Sequence, residues 1–233
     1  MPAAPIILVP GFWLGAWAWD DVAAPLRADG HDVTALTLPG LEPTAADRGA
    51  IRLEDHVEAI CDAVRAAAAP PVLAVHSGAG VPGYAATDRV PDRIGRVVYV
   101  DSFPEVGPID PDFTAAEKAL PSWDDLGVNL DGISEEQLAA FRQRAVPQPG
   151  AALRDRLELR DERRLDVPTT VLCTAWPSTE FKKAIAAGQP WLAALGSLRD
   201  VSWVDLPTSH WPMWSRPQET AQVLADAAVR AGG

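Results

Sequence analysis

The chain has 233 residues, 48% of them hydrophobic and 22% charged, with a formal net charge of −12. That is the size of one ordinary domain, and the acidic excess argues against nucleic acid or an anionic membrane as a partner. No stretch nears the roughly 20 apolar residues of a membrane span. The N-terminus M-P-A-A-P-I-I-L-V-P-G lacks the basic region and the apolar length of a signal peptide, so a cytoplasmic protein is expected. Cys61 and Cys173 make neither a metal-ligand spacing nor a disulfide framework. Nine tryptophans are the compositional oddity.

Pro5–Pro10 is a short apolar run that reads as a buried strand, followed by a loop rich in glycine and tryptophan over Gly11–Trp19. A helix is predicted over Trp17–Asp29, closed by Gly30, and a second strand over the alternating residues His31–Leu38. After a polar loop, Leu53–Ala68 sets Leu53, Val57, Ile60, Cys61 and Val64 on one helical face. Val72–Val75 is another apolar run, Val81–Arg89 a helix, and Arg93–Asp101 a further strand. The alternation then breaks. Ser102–Asp166 is rich in Pro, Asp and Glu, with loops at Val106–Asp112 and Pro121–Gly132. It also holds a helix over Ser134–Ala145 with a Ser134/Gln137 capping box, and a further helix over Ala151–Arg164. Strands resume at Val167–Thr174 and Asp200–Leu206, with helices over Thr179–Ala194 and Pro217–Ala231.

Repeated strand–helix units predict an α/β fold with a doubly wound, mostly parallel sheet, and a helical excursion after the strand ending at Asp101. Ligands of such sheets bind beyond the carboxyl ends of the strands. The loops at Gly11–Trp19, His76–Gly80, Asp101–Glu105, Thr174–Glu180 and Thr208–Trp214 are therefore expected to converge.

Within this frame the stretch V-L-A-V-H-S-G-A-G-V-P-G, Val72–Gly83, has the strand–turn–helix form of a nucleophile elbow around Ser77. The small residues Gly78, Ala79 and Gly80 let strand and helix approach closely, and the helix N-terminus favours developing negative charge. Two positions depart from G-x-S-x-G. Val75 stands at the first glycine, where a β-branched side chain crowds the turn, and Ala79 stands at the last. The stretch also reads as an ordinary strand-to-helix turn that contains a serine.

Four phrases in order, L-V-P-G-F-W-L-G-A-W, G-H-D-V-T-A-L-T-L-P-G, V-H-S-G-A-G and S-H-W-P-M-W-S-R-P, resemble the α/β-hydrolase superfamily. The likeness is nearest to its branch of small plant-type esterases, hydroxynitrile lyases and cofactor-independent dioxygenases. It runs from about Pro5 to Val229 and is weakest across the insertion. The resemblance implies one α/β-hydrolase domain over 1–233, with a core of 1–103 and 166–233 and a small helical cap at 104–165. It implies Ser77 as nucleophile and His210 as general base, with His76 a packed support. The family's usual acid position holds Trp176 within Cys173-Thr174-Ala175-Trp176. Some branches draw the acid from the strand end occupied here by Asp101, which is assigned the orienting role; Glu180, close by, matches a non-catalytic position. The backbone N–H groups of Phe12 and Gly78 are expected to form the oxyanion hole. Trp13, Trp123, Trp176, Trp211 and Trp214 are expected to border an apolar or aromatic pocket.

The chemistry so implied is hydrolysis of a small, largely apolar or aromatic ester, thioester or lactone through an acyl-Ser77 intermediate. Gly11 and Trp211 stand where plant-type hydroxynitrile lyases need threonine and lysine, and Ser77 is not the aspartate nucleophile of haloalkane dehalogenases. Two alternatives stay open. One is a non-hydrolytic enzyme of the same fold, a cofactor-independent dioxygenase, lyase or cyclase, using His210 and Asp101 for proton transfer. The other is a hydrolase-like ligand-binding protein without turnover. No metal cluster, phosphate loop or dinucleotide fingerprint is visible, so no cofactor and no metal are expected. The expected partner is a small-molecule substrate, with neither nucleic acid nor membrane; a homodimer is left open.

Overall fold

A computed structural model describes residues 3–44 and 47–232. In chain order it shows β1 (Ile6–Val9), α1 (Asp20–Ala28), β2 (Val33–Ala35), α2 (Leu53–Ala66), β3 (Val72–His76), α3 (Gly80–Arg89) and β4 (Arg96–Val100). Between β4 and the next strand of the main sheet lie β5 (Glu117–Lys118), α4 (Trp123–Leu126), α5 (Glu135–Arg144), β6 (Gln148–Pro149) and α6 (Gly150–Arg154). The chain closes with β7 (Thr169–Cys173), α7 (Ser178–Ala186), α8 (Ala193–Ser197), β8 (Val201–Asp205), α9 (Pro212–Ser215) and α10 (Pro217–Ala231).

Six strands form one sheet in the order β2-β1-β3-β4-β7-β8, every neighbouring pair parallel. Successive side chains of a strand point to opposite faces, so a sheet covered on both sides needs apolar residues at every position. The central strands meet that demand. Ile6, Leu8, Val72, Ala74, Val98 and Val100 pack on one face with α1 and α10. Ile7, Val9, Leu73, Val75, Val97 and Tyr99 pack on the other with α2 and α3. The α2 stripe read from the sequence is buried throughout, from Leu53 to Val64. No helix among the described residues is long and apolar enough to cross a membrane.

The region between β4 and β7 differs from its sequence reading. The Ser134/Gln137 capping box is present at the start of α5. A helix over Ala151–Arg164 is not formed: α6 ends at Arg154 and the chain runs extended, ending in a 3-10 turn over Glu162–Asp166. The extended run alternates, with Leu157 buried between exposed Arg156 and Glu158, a period of two rather than 3.6. Its polar groups are claimed by the core. Asp155 pairs with Arg52, and Asp88 of α3 accepts the N–H groups of Arg160 and Asp161. The α4 turn lies within the expected loop Pro121–Gly132, and the β5–β6 antiparallel pair lies where no element was predicted.

Two other predicted elements are shorter than read. The helix over Thr179–Ala194 breaks after Ala186, where Gly188 takes a φ of 70° and Pro190 cannot donate a helical hydrogen bond. The second strand pairs only over Val33–Ala35, because its partner β1 is itself four residues long.

Candidate active site

Six loops leave the carboxyl ends of the parallel strands, and those after β3, β4 and β8 carry the polar groups of the site. Ser77 follows β3 directly and takes a φ of 50°; Asp101 follows β4 and takes a φ of 41°. Trp13, in the loop after β1, takes a φ of 65°. These are the three residues other than glycine with positive φ among the described residues, and all three converge here. Such a conformation costs on the order of 1–3 kcal/mol each and persists only where surrounding contacts enforce it.

The contacts that enforce the Ser77 turn explain how the elbow tolerates Val75 and Ala79. A Cβ on Gly83 would lie 2.6 Å from Val75 Cγ1, so the room that Val75 needs is left by a glycine one turn into α3. A Cβ on Gly80 would run into Ser102 Oγ and come 2.7 Å from the Phe103 carbonyl oxygen. Ser102 Oγ donates to the Ser77 carbonyl at 2.7 Å, tying the elbow to the end of β4. The glycines of the usual motif are thus replaced by others at 80 and 83.

His210 sits in the loop between β8 and α9. Its Nδ1 lies 2.6 Å from Asp101 Oδ2 and its Nε2 lies 2.8 Å from Ser77 Oγ. A carboxylate only accepts, so Nδ1 carries the proton towards Asp101 and Nε2 is left to accept from the serine hydroxyl. Asp101 Oδ1 accepts weakly from the N–H groups of Thr174 and Ala175, at 3.4 and 3.3 Å. Burial alone would raise the Asp101 carboxyl, but the hydrogen bond from His210 and the attraction of that ring for the carboxylate hold it below the ordinary carboxylate range. Glu180 is elsewhere, paired with Lys183 at 2.6 Å on the surface of α7.

His76 Nε2–H donates to the His210 carbonyl at 2.8 Å, with the two rings 4.9 Å apart. Burial is the main cause that pushes His76 down to about 3, and a proton on the adjacent His210 ring would act in the same direction. His76 therefore supports the loop as a neutral ring and places no positive charge beside His210. On the other side, the His210 N–H donates to the Asn129 carbonyl at 3.0 Å, and Asn129 Nδ2 donates to the Thr208 carbonyl. Asn129 and Ser102 are residues that sequence reasoning missed. Ser102 had a signal in its position next to Asp101; Asn129, remote in the chain, had none.

A cavity of about 180 Å³ opens onto Ser77 and His210, lined by Phe12, Trp13, Leu126, Val128 and Trp211 beside His76. Neither the Phe12 nor the Gly78 N–H has a backbone acceptor among the described residues. Of the five tryptophans expected at the pocket, Trp13 and Trp211 line it. Trp123 and Trp214 stand behind Trp211, with ring centroids 6.2 and 6.0 Å from it, and both pack on the buried Phe141 of α5. Trp176 points to the far side of Asp101, where it packs on Phe181 and Trp191 and is 41% exposed. The cause is local: Ser178 binds Asp205 of β8 through both its N–H and its hydroxyl, folding residues 174–178 towards α7.

The model of the alpha/beta hydrolase family matches residues 6–223. The chain is 41% identical over 99 residues to esterase PIR7B of Oryza sativa subsp. japonica, covering 40% of this chain and 37% of that protein. It is 36% identical over 121 residues to a carbendazim hydrolyzing esterase of Nocardioides sp. (strain SG-4G), covering 51% and 49%. The match thus spans about half or less of the length of these relatives. Among solved structures, an extracellular alpha/beta-hydrolase from a Paenibacillus species superposes with a TM-score of 0.75 over 97% of this chain and 99% of that one, at 22% identity. With a family match over nearly the whole sheet and its loops, the chain belongs to the alpha/beta hydrolase family.

Proposed function

We propose that the protein is a carboxylic ester hydrolase that works through an acyl-serine intermediate. The observation that carries this reading is the unbroken hydrogen-bond chain from Ser77 Oγ through His210 to Asp101. A serine hydroxyl is a weak nucleophile at its free pKa and needs an adjacent base held in the right tautomer. As Ser77 Oγ bonds to the ester carbonyl carbon, its proton passes to His210 Nε2, and Asp101 stabilises the imidazolium. The carbonyl oxygen becomes an oxyanion facing the N–H groups of Phe12 and Gly78. Collapse expels the alkoxide, which takes the proton from Nε2 and leaves as alcohol. Water then repeats the sequence, with Nε2 first accepting its proton and then returning it to Ser77 as the acid departs.

The cavity bounds the substrate. Benzene fills an apolar cavity of ~150 Å³, so about 180 Å³ suits a small acyl or aryl group rather than a long chain. Residues 104–165 act in this reading as the cap, since Leu126 and Val128 wall the cavity and Asn129 holds the His210 loop. The two curated relatives are both esterases by name, which supports the reaction class.

The test is intact-mass spectrometry after exposure to a small fluorophosphonate, with short-chain aryl esters assayed in parallel. We expect a single adduct on the wild type, none on Ser77→Ala, and ester turnover lost with the adduct. An unlabelled wild type, or ester turnover that survives in Ser77→Ala, would overturn the acyl-serine reading and leave His210 with Asp101 as a base acting on its own.

A further inference from the structure

Among the described residues, Phe12 is the one that lines both the cavity at Ser77 and a second, narrow cleft. That cleft lies among the loop after β2, the start of α2 and the start of α3, and its walls include Leu38, Leu41, Leu53, Pro82 and Ala152. The Phe12 ring rests on Gly78, where a Cβ would come within 2.5 Å of Cζ, so the ring fills space that another residue at 78 would take. With the ring in place the cleft keeps about 10 Å³ free, the room of a single water. Gln148 and His56 also border the cleft, so its wall is mainly but not wholly apolar.

Resting on the hydrolase reading above, we propose that the Phe12 ring is the partition that sets the size limit of the substrate, and that the cleft behind it is a latent subsite for the apolar chain of a medium-length aliphatic ester. The partition is a side chain, whereas the oxyanion contact assigned to Phe12 is its backbone N–H. Size selection and catalysis at this position are therefore separable. Removing the ring joins the two hollows and exposes the side chains of Leu38, Leu41, Leu53, Pro82 and Ala152 to the chain of the substrate. Each methylene buried there favours binding about fourfold, so three of them give about sixtyfold.

The experiment compares p-nitrophenyl acetate with the octanoate on wild type and Phe12→Ala. In parallel, octan-2-one, which cannot be hydrolysed, is titrated by tryptophan fluorescence onto Ser77→Ala and Ser77→Ala/Phe12→Ala. We expect the octanoate-to-acetate ratio of kcat/KM to rise at least tenfold in Phe12→Ala, and octan-2-one to bind at least tenfold more tightly when the ring is absent. Ala152→Leu added to Phe12→Ala should reverse both gains by refilling the cleft. A Phe12→Ala protein that melts like the wild type and shows neither gain overturns the partition. If Phe12→Ala does not fold, Phe12→Leu is judged by the same two ratios, with a smaller rise expected. If no variant hydrolyses any ester, the hydrolase reading falls, and the ketone affinities alone decide the role of Phe12.

Discussion

In the proposed acyl-serine reading, the orienting carboxylate is Asp101. The loop after β7 carries Trp176 where the family acid is usual, and the carboxylate that reaches His210 comes from the end of β4 instead. Asp101→Asn is a clean probe of this residue because asparagine is among the few side chains that tolerate a φ near 41°. The backbone should survive while the tautomer preference of His210 is lost. We expect kcat for a short aryl ester to fall roughly 10³–10⁴-fold, the size of loss seen when a triad acid elsewhere becomes an amide. The melting temperature should change little. Glu180→Gln serves as the control and should stay within about twofold of wild type, since among the described residues Glu180 pairs only with Lys183 three residues on. A near-normal rate for Asp101→Asn would remove Asp101 from the reaction.

At the scale of elements, the elbow is packed by glycines that no G-x-S-x-G pattern would locate. Gly83 lies within α3, where alanine ordinarily stabilises a helix by about 1 kcal/mol over glycine. Here the order should invert, because an alanine Cβ would sit 2.6 Å from the stiff Val75 side chain of a fully buried strand. Gly83→Ala should cost about 1–3 kcal/mol by overpacking. Placed on a Val75→Ala background, the same change should become neutral or stabilising. Urea unfolding of the four proteins of this cycle measures the coupling, and purely additive changes would show that the two residues do not compete for space.

The same pair marks the boundary of what the sequence made legible. The strands, α2 and α10 follow from apolar runs and periodicity, and the elbow and its histidine from short phrases. Val75 read as a crowded position because its compensation, eight residues on, is a tertiary fact. Ala151–Arg164 read as a helix because Leu153, Leu157 and the charges around them suit a helical period. The period-two burial is imposed by Arg52, Asp88 and Arg89, from α3 and the start of α2. The tryptophans were legible as a cluster, but not in their direction. Phe141, invisible as a hub in the sequence, draws Trp17, Trp123, Trp211 and Trp214 around itself and so leaves only part of the set facing Ser77.

For the molecule as a whole, the buried histidines make stability depend on pH in a direction that can be worked out. Burial lowers both His76 and His56, the former to about 3, while both rings have an ordinary value of 6.5 once the chain unfolds. Below pH 6.5 the unfolded chain therefore binds protons that the folded protein refuses. Stability is full above that value and falls as the pH drops towards the folded value. Asp101 acts with the same sign at lower pH, because its carboxyl is depressed in the fold and must be protonated as the chain unfolds in acid. Between pH 6.5 and 5.0 the His76 contribution amounts to about 2 kcal/mol, at 1.36 kcal/mol for each unit. Urea unfolding at pH 7.5 and 5.0 should show this loss in the wild type. His76→Gln, whose amide N–H can still reach the His210 carbonyl, should be less stable at pH 7.5 but lose less on going to pH 5.0. An equal loss in both proteins would mean that His76 is not the neutral buried ring on which the His210 loop is built.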